Sequence, residues 1–305
     1  MKHFLELASV PTGELHELLQ LALRLKAEWK AGGNSPLLQG KTLGMIFLKP
    51  SLRTRVSFEM AMKHLGGGAI MLGPQEIGLG ARESIPDVAR VLSGYVDGIM
   101  ARVFDHKDVV QLAQYATVPV INGLSDGYHP CQALGDMLTI HEHFGTLEGL
   151  RLAFVGDGNN VAASVALACA HFGVSFSIAT PEGYEIQRPV CEQAYDIAGR
   201  NGSILEMRTR PQIAVAEADV VYTDTWVSMG QEAEAAERAG EFDAYQVNGE
   251  LLRQAKSQAI VMHCLPAHRG DEITDAVMDG PQSRVFQQAE NRMHAQKAIL
   301  ARLLA

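Results

Sequence analysis

No basic surplus marks this chain. Its 26 lysines and arginines are outnumbered by 35 aspartates and glutamates, a formal net charge of −9. That balance is a poor match for nucleic acid or anionic lipid, so any anionic substrate must be held by a local basic pocket. Cysteines are few and unpaired in sequence. Cys131, Cys169, Cys191 and Cys264 lie far apart with no Cys-x-x-Cys, which argues against both a disulfide framework and a structural zinc site. No apolar run approaches the length that spans a bilayer, and the start, Met1-Lys2-His3-Phe4-Leu5-Glu6-Leu7, lacks an apolar stretch followed by a small-residue cleavage site. A soluble, cytoplasmic protein is expected. Internal repeats and low-complexity tracts are also missing.

What is present is a globular composition, 47% hydrophobic and 20% charged, over 305 residues, enough for about two domains. Short β-branched and apolar runs alternate with longer segments of helical period, which predicts an α/β protein with parallel sheets. The strands are expected at Leu43 to Leu48, Ala69 to Leu72, Gly98 to Ala101, Val118 to Ile121, Leu152 to Val155, Ser175 to Ala179, Ser203 to Met207, Asp219 to Thr223 and Ala259 to His263. A break in the Gly145-Thr146-Leu147-Glu148-Gly149 turn divides the chain into residues 1–145 and 146–286. A last helix from about Gln287 carries apolar residues at helical spacing and is expected to return to the first domain.

The most informative segment follows the first strand. Lys49-Pro50-Ser51-Leu52-Arg53-Thr54-Arg55 opens a helix. A helix start carries unpaired N–H groups and the positive end of the macrodipole, and Ser51, Arg53, Thr54 and Arg55 add hydroxyl and guanidinium donors suited to a phosphate. Alone, this is also compatible with a Ser-capped helix bearing two solvated arginines. Three more segments share its placement after a strand. Tyr128-His129-Pro130-Cys131-Gln132 sets His129 and Gln132 at a helix start, where they can polarise a carbonyl and hold an amide, although a lone His is more often structural. Asp224-Thr225-Trp226-Val227-Ser228-Met229-Gly230 offers an Asp for a ligand ammonium and a Ser for a carboxylate, although both can cap a helix. His263-Cys264-Leu265-Pro266 presents a thiol that is a reactive candidate or a buried packing residue. Arg102 closes a strand and Arg292 lies in a helix; each by itself is equally readable as a solvated or paired arginine. Gly156-Asp157-Gly158-Asn159-Asn160 invites a dinucleotide reading. It lacks the third glycine, and no acidic residue ends the next strand.

In this order, Ser-Leu-Arg-Thr-Arg, His-Pro-Cys-Gln, Asp-Thr-Trp-Val-Ser-Met-Gly, His-Cys-Leu-Pro and Glu-Asn-Arg resemble the ornithine branch of the aspartate/ornithine carbamoyltransferases, from about Leu37 to the C-terminal helix. The first two motifs are shared with aspartate carbamoyltransferases, and the next two point to ornithine. The resemblance implies two α/β domains, a homotrimer with active sites between subunits, and transfer of a carbamoyl group from carbamoyl phosphate to L-ornithine without metal or organic cofactor. Carried over by position, Ser51, the Leu52 backbone, Arg53 and Thr54 hold the phosphate, and Arg102 bridges phosphate and carbonyl. His129, Gln132 and Arg292 hold the carbamoyl group. Asn160, Asp224, Ser228 and Met229 bind ornithine, and Cys264 and Leu265 complete the site. Leu52 stands where the family often has Thr. Gly78, in Gln75-Glu76-Ile77-Gly78-Leu79-Gly80, stands where many members place a Gln or His that reaches the neighbouring subunit. The alternatives are a carbamoyltransferase acting on putrescine, an acylated ornithine or aspartate, a nucleotide-dependent oxidoreductase, and a non-catalytic subunit on the same fold.

Overall fold

The computed structural model describes residues 1–80, 82–227 and 232–305. Ser228 and Met229, two of the expected ornithine contacts, lie outside the described residues. The chain forms two compact units, Met1–Leu138 with Asn291–Ala305, and Thr139–Glu290. It leaves the first unit within the helix Pro130–Phe144 and comes back within the last helix, Val285–Leu304.

The first unit holds a four-stranded parallel sheet of β1 (Thr42–Phe47), β2 (Gly68–Leu72), β3 (Gly98–Arg102) and β4 (Val120–Leu124), in the order β2-β1-β3-β4. The second holds a five-stranded parallel sheet of β5 (Arg151–Val155), β6 (Ser175–Ala179), β7 (Leu205–Arg208), β8 (Val220–Thr223) and β9 (Ile260–His263), in the order β7-β6-β5-β8-β9. Inner strands covered by helices on both faces must be apolar on both sides, which is why β3 and β8 are buried along their whole length and read as continuous apolar runs. The first core gathers Ile46, Ile99, Ala101 and Val120 from the sheet with Val88, Val109 and Leu112 from helices. The second gathers Val155, Val221 and Val261 with Trp226, Phe242 and Tyr245.

Strand order reverses between β1 and β3 in one sheet and between β5 and β8 in the other. At such a switch point the connections leave in opposite directions and open a crevice at the carboxyl ends of the strands. The four loops at these points begin at Leu48, Val103, Gly156 and Asp224, and they carry the phosphate-type motif, the end of Arg102's strand, the Asn159-Asn160 turn and the Asp-Thr-Trp motif.

Two strands are displaced by two residues or more at their start, β7, which begins at Leu205 rather than Ser203, and β4. β4 runs Val120–Leu124 rather than starting at Val118, because Pro119 has no N–H to give to the ladder and pairing continues through Asn122 and Gly123. The N-terminal segment braces it: Phe4 N donates to Val120 O at 2.9 Å, and the Asn122 amide donates to Leu5 O at 2.9 Å. Gly78 ends the short helix Pro74–Ile77 in the left-handed region, φ 52°, and a Cβ there would come within 2.5 Å of the Arg82 Cβ. Gly78 thus occupies a tight local turn that a side chain would crowd. Among the described residues, no helix is long and apolar enough to cross a membrane.

Candidate active site

In the first unit, Ser51 has extended backbone and caps the helix Leu52–His64, its Oγ accepting from Thr54 N at 3.2 Å. The first N–H groups of that helix, from Leu52 and Arg53, have no carbonyl one turn back. The Leu52 side chain is 77% exposed, so only its backbone is suited to the site. Arg102, buried at the end of β3, donates from Nη1 to Thr54 Oγ1 at 3.3 Å. Arg55 does not join this group: it is half-exposed and pairs with Glu59 one turn on, at 3.7 Å. Of the two guanidinium groups counted in this motif, Arg55 points to the surface because the helical period carries it to the outer face.

His129, Gln132 and Arg292 are all buried. Arg292 Nη1 donates to Gln132 Oε1 at 3.3 Å, although the two are 160 residues apart in sequence. Gly135 makes this approach possible, since a Cβ there would lie 2.9 Å from Arg292 Cα and 3.1 Å from its N. Gly135→Ala is expected to push the last helix away from the helix Pro130–Phe144, at about 1–3 kcal/mol of overpacking. Loss of thermal stability together with turnover would be the readout; an unchanged turnover would mean that Arg292 does not need this approach.

The His129 imidazole is held well below its ordinary pKa by burial, with the nearby Arg292 and Arg102 cations adding to the effect. It is therefore neutral at working pH and acts as a hydrogen-bonding group rather than a cation. The sign for stability follows. Below the ordinary His pKa the unfolded chain takes up a proton that the folded chain refuses, so this group's contribution is complete above that value and is lost as pH falls. His129→Gln should make the fall in melting temperature between about pH 7.5 and 5.5 shallower than in the parent. An equal slope would place His129 in a less restrictive setting.

The second unit provides a different set. Asp224, buried after β8, accepts from Asn159 Nδ2 at 2.9 Å on one oxygen and from Cys264 Sγ at 3.0 Å on the other. Asn159 caps the helix Asn160–His171, its Oδ1 accepting from Val161 N and Ala162 N. The Asn159-Asn160 pair reads in sequence as two amides open to a small polar ligand; here the Asn159 side chain is engaged by the protein, capping the helix with Oδ1 and holding Asp224 with Nδ2. Asn160 is half-buried in the first turn of that helix.

Cys264 and Leu265 follow β9. Leu265 has φ 61°, an outlier for a bulky side chain that persists only where the surroundings enforce it. Here its N–H donates to His263 Nδ1 at 2.9 Å, which places the ring proton on Nε2, 3.1 Å from Glu272 Oε1. Glu272 is fully buried and also accepts from His268 N at 2.5 Å. Asp224, His263 and Cys264 bring potential ligand atoms within 4.8 Å of one another. Both His263 nitrogens are already engaged, so the group reads as a hydrogen-bonded scaffold for the thiol.

The dinucleotide reading meets a steric obstacle. Gly158 N donates to Tyr184 O at 2.8 Å, and a Cβ at Gly158 would fall 2.3 Å from Ile186 N. The close backbone approach that such a glycine grants to a pyrophosphate is taken by the protein's own chain. The helix N–H groups are likewise occupied by Asn159, and Asp157 is tied to Arg238 at 2.9 Å.

One unit thus gathers a Ser-capped helix start with buried arginines, and the other a buried carboxylate–thiol pair. Comparison with known proteins identifies the family. Residues 2–142 match the aspartate/ornithine carbamoyltransferase carbamoyl-P binding domain, and residues 148–303 match the Asp/Orn binding domain of the same family. The chain belongs to the aspartate/ornithine carbamoyltransferase family and is a transferase. It is 56% identical over 288 residues to the anabolic ornithine carbamoyltransferase of Pyrococcus furiosus, covering 94% of this chain and 91% of that protein. The solved structure of ornithine carbamoyltransferase from Pyrococcus furiosus superposes with a TM-score of 0.97 at 54% identity, covering 99% of this chain and 97% of the other. A structure of acetylornithine transcarbamylase complexed with acetylcitrulline also superposes, with a TM-score of 0.90 at 32% identity and full coverage of both chains. The fold alone thus leaves the acceptor open, and the second unit's residues must decide it.

Proposed function

We infer that the chain is an ornithine carbamoyltransferase of arginine biosynthesis, converting carbamoyl phosphate and L-ornithine to L-citrulline and phosphate. The observation that carries the acceptor half is the Cys264–Asp224 contact, with Asp224 also held by Asn159. Residues 1–145 with 287–305 bind carbamoyl phosphate: Ser51, Arg53, Thr54 and the Leu52 backbone take the phosphate, Arg102 spans phosphate and carbonyl, and His129, Gln132 and Arg292 take the carbamoyl group. Residues 146–286 bind ornithine through Asn160, Asp224, Ser228 and Met229, while Cys264 and Leu265 position its side-chain amine.

The chemistry follows from charge. A free alkylamine has a pKa of about 10.4, so the ornithine amine must give one proton to solvent before it attacks the carbamoyl carbon, and it passes a second to the departing phosphate as the new C–N bond replaces the C–O bond. Burial favours its neutral form, and Cys264 and Asp224 orient it without a covalent thioester. Negative charge then develops on the carbamoyl oxygen, where Arg102, Arg292 and neutral His129 donate, and phosphate departs into the cradle around Ser51. The working form is a homotrimer in the cytoplasm. Leu52 and Val56, one turn apart, and Ile70 and Met71 on the edge strand β2 are exposed apolar residues of the first unit that support a subunit contact.

Cys264→Ala tests the assignment. Turnover is expected to fall about a hundredfold, while carbamoyl phosphate binding, followed by calorimetry, stays intact. Loss of carbamoyl phosphate binding would place Cys264 in the wrong half of the reaction.

A further inference from the structure

We propose that Asp136 sets the specificity for a carbamoyl group by fixing which end of the Gln132 amide faces the substrate. The inference rests on the reading of Gln132 as a carbamoyl contact. Gln132 Nε2 lies 2.8 Å from Asp136 Oδ1, and both side chains are essentially closed to solvent. A carboxylate only accepts, so the donor end of the amide must turn toward Asp136. At the other end, Gln132 Oε1 accepts from Arg292 Nη1 at 3.3 Å, and a guanidinium only donates. Both neighbours select the same orientation, one residue from the Gly135 contact that brings Arg292 there. The amide therefore commits an N–H of its NH2 end to Asp136 and keeps its carbonyl oxygen, with a second lone pair, on the side of Arg292, where the carbamoyl group is read to lie.

A carbonyl oxygen with a lone pair to spare rewards a ligand N–H and penalises a ligand methyl. Carbamoyl phosphate and acetyl phosphate differ by that substitution, an NH2 against a CH3. An unpaired buried acceptor costs about 1–3 kcal/mol, roughly a tenfold or larger preference for the carbamoyl compound. Asp136 is in this account a positioning residue: it touches Gln132, and Gln132 touches the substrate.

The experiment measures the ratio of the acetyl phosphate inhibition constant to the carbamoyl phosphate KM in the full-length enzyme. Damage to the phosphate cradle weakens both ligands alike and leaves the ratio in place. Gln132→Ala should lower the ratio about tenfold; an unchanged ratio would show that Gln132 does not read the carbamoyl group, and the inference would fall with that reading. Asp136→Leu, which removes the acceptor, should lower the ratio as much as Gln132→Ala, whereas Asp136→Asn, which keeps a carbonyl acceptor, should stay within about threefold of the parent. A ratio that falls in Gln132→Ala and not in Asp136→Leu would overturn the role of Asp136 alone. If Asp136→Leu does not fold, Asp136→Ala decides, since it removes the acceptor without adding bulk beside Gln132. A fall matching Gln132→Ala supports the orientation, and a ratio near the parent's contradicts it.

Discussion

Asp224→Asn should lower kcat/KM for ornithine by about a thousandfold while leaving carbamoyl phosphate affinity within about threefold. The Asp224 carboxylate is surrounded by donors, Cys264 Sγ at 3.0 Å and Asn159 Nδ2 at 2.9 Å, inside a buried pocket. An asparagine at this position turns one of its two ends into an NH2 group that faces a donor. Breaking one partner of a buried charged network costs about 3–5 kcal/mol, several times what a surface pair is worth. The loss should appear in ornithine kinetics alone, since the carbamoyl phosphate residues belong to the other unit. Steady-state kinetics with each substrate varied in turn would show it; an equal loss in both substrates would indicate general damage rather than loss of the acceptor reader.

Arg102→Met should reduce kcat by about 10²–10³-fold and raise the carbamoyl phosphate KM more than tenfold. Its guanidinium is buried, donates to Thr54 Oγ1 at 3.3 Å and lies close enough to His129 to depress that imidazole. One cation thus serves the phosphate and the developing oxyanion together. The substitution carries a second signature: with Arg102's repulsion removed, the His129 pKa should move upward, only partly, because burial is the larger cause and Arg292 remains. A nuclear magnetic resonance titration of the histidine rings follows this directly. A fall in kcat with no change in carbamoyl phosphate KM would confine Arg102 to the transition state.

Much of this was legible in the residues. The alternation of apolar runs and helical segments placed nine strands near their observed positions; the inner ones, such as β3 and β8, leave an unbroken apolar signal because they are buried on both faces, while the edge strands β2 and β7 are partly exposed. The motifs were legible as candidates because strand ends followed by helix starts are where open α/β sheets bind ligands. What sequence reasoning missed was partnership at long range. Asn159 reaches Asp224 across 65 residues. Arg238, which reads as one more charged residue of a short surface helix, is buried and donates to both Asp157 and the Trp226 carbonyl, so it joins the loop after β5 to the loop after β8. Glu272 and Asp136 are fully buried carboxylates whose sequence neighbours give no hint of burial. Arg55 erred in the other direction: its motif suggested phosphate, and the helical period turned it to Glu59.

The acceptor is the central claim, and one assay tests it most directly. The purified protein is given carbamoyl phosphate with L-ornithine, putrescine, N-acetylornithine or L-aspartate in separate reactions, and carbamoylated product and phosphate are measured together. Citrulline and phosphate in equal amounts from ornithine, with none of the other three supporting comparable turnover, is the result predicted by Asp224, Cys264 and their supports. Faster turnover with any other acceptor would leave the phosphate cradle in place and contradict the roles given to Asp224, Ser228 and Met229.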